Sequence, residues 1–223
     1  MNKNMIRAAV MITGLALAGN VFGAVGYFDN AYIVLNDGSG NTFHQITEPG
    51  NDPLNASQGF NLTPDGVNPS FGMNLGEFDF NTGILDLNGF EIKTFNDSGD
   101  DVTNAILWYR VTKSGDTPGS FTSFELTSPS SVSGNDKTWA TTTANINLLS
   151  GLDIGDYSLD VFFRHTATFT GGGGGSFEMG NWSESNNPTA TFTVIPEPSS
   201  IIMMGLAGLA AGGLTLLKRR KRS

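Results

Sequence analysis

The chain has 223 residues with no cysteine, 29 glycines and 16 phenylalanines, and its 12 basic and 21 acidic side chains leave a formal charge of −9. That length suits one domain with appendages. Absence of cysteine excludes disulfides, thiolate nucleophiles and cysteine-ligated zinc or iron–sulfur sites. The charge is unevenly spread: residues 25–196 hold 20 acidic side chains against Lys93, Arg110, Lys113, Lys137 and Arg164 alone. Such a field repels phosphate backbones, so no nucleic-acid partner is expected.

Residues 1–24 read as a signal peptide. Lys3 and Arg7 precede an apolar run from Ala8 to Gly19 interrupted only by Thr13, and small residues follow, so signal peptidase is expected to cut after Gly23 or Ala24. The segment is expected to be helical in the membrane.

Residues 25–195 read as one acidic β domain, because apolar residues come in short runs between turn signals and no stretch sustains a 3.6 period. Tyr32–Leu35 and Thr42–Ile46 flank Asn36-Asp37-Gly38-Ser39-Gly40-Asn41 as in a hairpin. Residues 48–74, with Pro49, Pro53, Pro64 and Pro69, read as a surface insertion or cover. Leu85–Leu87 and Phe90–Ile92 flank Asn88-Gly89, which predicts a tight hairpin turn there. Further strands are expected at 76–80, 105–112, 121–127, 138–148, 157–168 and 189–194. Alternation in the last two directs Tyr157, Leu159, Val161 and Phe163, and then Ala190, Phe192 and Val194, toward a core.

Leu152-Asp153-Ile154-Gly155-Asp156-Tyr157 resembles the tyrosine corner of immunoglobulin-like and fibronectin-like sandwiches, which would make Trp108 a core residue on a strand. The expected fold is therefore all-β, a single sandwich of immunoglobulin-, fibronectin- or jelly-roll-like type. Residues 78–194 also look like β modules of secreted bacterial surface proteins. The Gly171–Gly175 run lacks the Lys and Ser or Thr of a phosphate loop and reads as a surface loop.

Catalytic chemistry finds little support. His44 and His165 lack metal-ligand spacing, no Gly-x-Ser-x-Gly occurs, and the pair Glu77 and Asp79 is what alternation supplies by chance in an acidic chain. No catalytic or metal-binding residue is assigned, and no cofactor is expected. Calcium is the inorganic candidate weighed, at Asp37, Ser39, Asn41 and Glu48 or at Asp97, Asp100 and Asp101, with solvated turns preferred at both. Trp182 and, less favourably, Trp139 are candidates to stack on sugar rings.

The last segment, residues 196–223, holds Pro196-Glu197-Pro198, an apolar run from Ile201 to Leu217 broken only by Thr215, and Lys218, Arg219, Arg220, Lys221 and Arg222. Nineteen residues from Ser199 at about 1.5 Å each reach about 28 Å, enough to cross a bilayer as a helix. Five cations then stop transfer and stay cytoplasmic. The prolines keep the linker extended and open to an enzyme. This order resembles the PEP-CTERM sorting signal of Gram-negative bacteria. The resemblance implies an inner-membrane-anchored precursor, removal of the tail by an exosortase, and a cell-surface or extracellular product associated with exopolysaccharide and biofilm matrix. The function so implied is a structural or adhesive, non-catalytic surface protein; the alternative is a polysaccharide-binding module using exposed aromatics.

Overall fold

The computed structural model describes residues 25–47, 71–96, 100–169, 174–178 and 187–197. The described residues form two packed β-sheets and contain no helix. Both expected terminal helices, residues 48–70 of the expected insertion and Trp182 lie outside these residues, while residues 71–73 lead into β3 at Asn74.

The first sheet has the order β2 (Asn41–Thr47), β1 (Val25–Asn36), β4 (Asp86–Asn96), β8 (Asp136–Thr141) and β7 (Ser131–Ser133), with the short β9 (Ile146–Asn147) also paired to β4. The second runs β3 (Asn74–Asp79), β12 (Thr189–Ile195), β10 (Gly155–Thr168), β5 (Asp101–Lys113) and β6 (Thr122–Leu126), with β11 (Gly174–Glu178) also on β10. Every pairing is antiparallel except β3 with β12.

Alternation builds the core. The expected inward residues of β10 and β12 are all buried, and Ile33, Phe90, Ile92 and Trp139 meet them from the first sheet. Phe90 joins the sheets through edge contacts to Phe163 and Phe124, with ring centroids 5.7 and 5.9 Å apart. Each fully buried ring of this kind contributes about 2–3 kcal/mol by leaving water. No cysteine staple is present or needed to close this core.

The first expected hairpin is present, with Asn36 opposite Asn41. Its turn is organised by Asn36, whose Oδ1 accepts the amide hydrogens of Gly38 and Gly40. The expected turn at Asn88-Gly89 is absent. Both residues lie inside β4, and the pairing to β1 shifts by one residue there, from Val34 opposite Gly89 to Leu35 opposite Leu87. Such a bulge needs a residue that tolerates unusual angles: Gly89 has φ 153°, and a Cβ at this site would stand 2.0 Å from the carbonyl oxygen of Thr141. Gly89 thus serves close strand packing, which the pattern of a tight turn mimics locally.

Residues 138–148 are likewise not one strand. β8 and β9 are separated by a turn that places Asn145 at φ 52°, and β9 folds back so that Ile146 pairs with Leu87. The tyrosine motif behaves as expected in its local geometry: Tyr157 Oη donates to the carbonyl of Asp153 at 2.8 Å, tying the 151–154 turn to the start of β10. Trp108 is on a strand but on its outward side, opposite Phe162, so the expectation of a place between the sheets is corrected.

Candidate functional site

The outward face of the second sheet carries the most organised polar chemistry among the described residues. β12 reads Thr189-Ala190-Thr191-Phe192-Thr193, so its alternation sends Ala190 and Phe192 inward and three hydroxyls outward. These hydroxyls meet β10 in rows. Thr193 Oγ1 donates to Asp156 Oδ1 at 2.8 Å, Thr191 faces Ser158, and Thr189 Oγ1 donates to Asp160 Oδ1 at 2.7 Å. β5 extends the rows with Thr112 beside Ser158 and Arg110 beside Asp160.

This face divides into a sealed half and an open half. In the sealed half Arg110 reaches Asp160 Oδ2 through Nε at 2.9 Å and through its terminal nitrogen at 2.8 Å. The same guanidinium donates to the Gly119 carbonyl at 3.2 Å and lies 4.1 Å from the Phe121 ring centroid. Phe121 stands edge-on to Phe162 at 4.8 Å, while Trp108 stacks parallel to Phe162 at 5.9 Å. Arg164 covers both rings, at 5.4 Å from Trp108 and 5.1 Å from Phe162. Phe162 is consequently 1% exposed although it points away from the core. The aromatic faces here are taken by arginines, so this half is a second packed layer.

The open half is a groove of about 390 Å³ lined by Asn74, Ser114, Asp156, Ser158, Thr191 and Thr193. It offers hydroxyls, one amide and one carboxylate, a donor and acceptor set suited to a polyhydroxylated ligand. A smaller cavity of about 240 Å³ opens where the edge strands β2 and β3 approach each other, with His44, Asp37 and Thr42 on one side and Met73, Asn74 and Leu75 on the other. His44 Nδ1 is buried there without a hydrogen-bond partner. Burial lowers the His44 pKa, and the Asp37 charge opposes that shift only in part, so the imidazole is neutral at pH 7.

Trp139 is not available to a sugar. It is 0% exposed in the core, with Nε1 donating to Thr94 Oγ1 at 2.9 Å. Inward alternation on β8, opposite Ile92, decides this and corrects its assignment as a contact residue. His165 also faces the interior, beside Ala105, and burial lowers its pKa to about 4.

The residues weighed for calcium have other tasks. Asp37 Oδ1 accepts the Ser39 amide at 2.9 Å, and Asn41 Oδ1 accepts Asn88 Nδ2 at 2.6 Å. Asp101 pairs with Lys137, and the Asp100 carbonyl accepts Asn96 Nδ2. Among the described residues no three of His, Asp or Glu gather as a metal-holding group, while Glu48 and Asp97 lie outside them. Glu77 and Asp79 lie on β3, next to Thr193 and Ile195 of β12.

Pro196 and Glu197 follow the last residue of β12 directly, and Ile195 is held by its carbonyl, which accepts the Phe80 amide at 2.9 Å. Gly23, Ala24, Pro198 and the five cations from Lys218 to Arg222 lie outside the described residues. Among those described, no helix is long and apolar enough to cross a membrane. No protein-family model and no curated protein matches the chain.

The hydroxyl rows escaped sequence reading, although the Thr-x-Thr-x-Thr pattern of β12 carried them. Their partners Asp156, Ser158 and Thr112 come together only through strand register.

Proposed function

We propose that this chain is an exported surface or extracellular-matrix protein of the PEP-CTERM kind, sorted by an exosortase and serving a non-catalytic structural or adhesive role linked to exopolysaccharide. The observation that carries the reading is the succession in sequence of Pro196-Glu197-Pro198, an apolar run and five cations. The end of the last strand supports it: β12 stops at Ile195, and Pro196 and Glu197 follow outside it. The hydrogen bond from Tyr157 to Asp153 further supports an immunoglobulin- or fibronectin-like sandwich over a jelly roll.

Intact mass of the protein recovered from the producing cells tests this reading. Loss of about the first 24 residues and of the segment after Pro196 is expected, with the tail retained when exosortase is deleted; full-length protein in the cytosol would overturn it.

A second reading, polysaccharide binding, is favoured by the groove of Asp156, Ser158, Thr191 and Thr193. The acidic surround disfavours anionic glycans and leaves neutral or amino-bearing ones. Retardation of the mature protein in gels containing neutral polysaccharide should be lost in Thr191→Val, with stability held within about 0.5 kcal/mol because the site is exposed. Equal mobility with and without polysaccharide would leave the structural role alone.

A further inference from the structure

Five large apolar side chains are exposed among the described residues, Met73, Phe80, Ile84, Val132 and Ile154. Three of them border one end of the sandwich, where the chain leaves β12. The Phe80 amide is bonded to the Ile195 carbonyl, and Ile154 immediately precedes Gly155, which pairs with Val194, so these two flank Ile195 on either side. Ile84 belongs to the same end, because residues 80–85 link Asp79, opposite Ile195, to Asp86, opposite Asn36, and its side chain packs 3.7 Å from where a Cβ on Gly38 would stand in the β1–β2 turn. Val132 is at the other end, on the hairpin whose Asn135 carbonyl holds the last residue of β4.

We propose that the end bearing Phe80, Ile84 and Ile154 rests on the membrane and inserts these side chains at the headgroup level while the tail is still attached. The inference rests on the reading of residues 199–217 as a span. From Ile195 to Ser199 there are four residue steps, which extend to at most about 14 Å. An end so tethered stays near the interfacial zone, and the contact is intramolecular, so a weak affinity for lipid suffices to populate it. Side chains half exposed to water gain from entering that zone in proportion to the apolar area they cover. The same end carries Asp37, Asp79, Asp86, Asp116, Asp153 and Asp156 against Lys113, so the docked state is disfavoured by anionic lipid. The product cut near Pro196 loses the tether and with it the contact, which couples processing to release.

The test uses the full chain, whose lack of cysteine makes single-site labelling specific. Thr82→Cys, Val132→Cys and Leu209→Cys are each labelled with a nitrobenzoxadiazole dye and reconstituted in phosphatidylcholine vesicles with acyl-brominated lipid as quencher. Docking predicts blue-shifted, quenched emission at 82 and 209, water-like emission at 132, and loss of the shift at 82 alone when Phe80→Ser and Ile154→Ser are added. Replacing part of the lipid with phosphatidylglycerol weakens the signal at 82. Water-like emission at 82 with quenching at 209 overturns the proposal and leaves the span intact; so does a signal at 82 that survives the serine pair. Water-like emission at 209 overturns the span and the proposal together.

Discussion

The two sheets treat their outward faces differently. On the first, Tyr32, Val34, Gln45 and Glu91 are buried although each alternates away from the core. On the second, half of the face is closed by its own arginines over Trp108, Phe121 and Phe162, and half is left as a hydroxyl-lined groove. Alternation therefore identifies the core side of a strand but does not show that the other side meets water. Function is best sought where the outward side does, which here is the β12–β10 half of the second sheet.

The sharpest way to break this contrast is Phe162→Ala. A solvent-facing position would tolerate it within about 0.5 kcal/mol, whereas a sealed layer predicts a loss of about 3–5 kcal/mol in urea unfolding. The interior offers a second comparison, since each sheet sends one histidine inward. The His165 pKa of about 4 lies below the ordinary 6.5, so the folded chain withholds a proton that the unfolded chain accepts. Its contribution is complete above about pH 6.5 and is lost as pH falls toward 4, about 3 kcal/mol in all. His165→Leu should flatten stability across that window more than His44→Leu, because Asp37 counteracts the shift at His44; equal slopes in parent and both variants would refute the difference.

On the first sheet, Gly89→Ala tests whether the bulge in β4 is required. Strain at φ 153° and collision with the Thr141 carbonyl should cost about 2–3 kcal/mol, read as a lower urea midpoint at unchanged slope. The smallest expected effect is on the second sheet. Tyr157→Phe removes one hydrogen bond to Asp153 and should cost about 1 kcal/mol while leaving the stacked contact with Phe192 in place. A larger loss would mean that the turn before β10 depends on that hydroxyl.

Much of the fold was legible because its signals are local. The β1–β2 turn is written in Asn36 to Asn41, the tyrosine tie spans four residues, and period-two alternation marks the inward sides of β10 and β12. Asn88-Gly89 misled because a glycine that permits a bulge and one that permits a turn look alike until the neighbouring strand is known. Trp139 misled for a related reason: an indole suits a sugar or a core equally, and only pairing with Ile92 assigns the side it faces.

By itself, the sequence determined the strand content, the acidic middle and the order of apolar and basic segments at the termini, since backbone preference and charge are carried residue by residue. The tertiary structure decided what lies across from what: the hydroxyl rows of β12 and β10, the arginine-covered aromatic layer, and the apolar side chains around Ile195. These are products of strand register and sheet packing, which join residues tens of positions apart and leave no local trace.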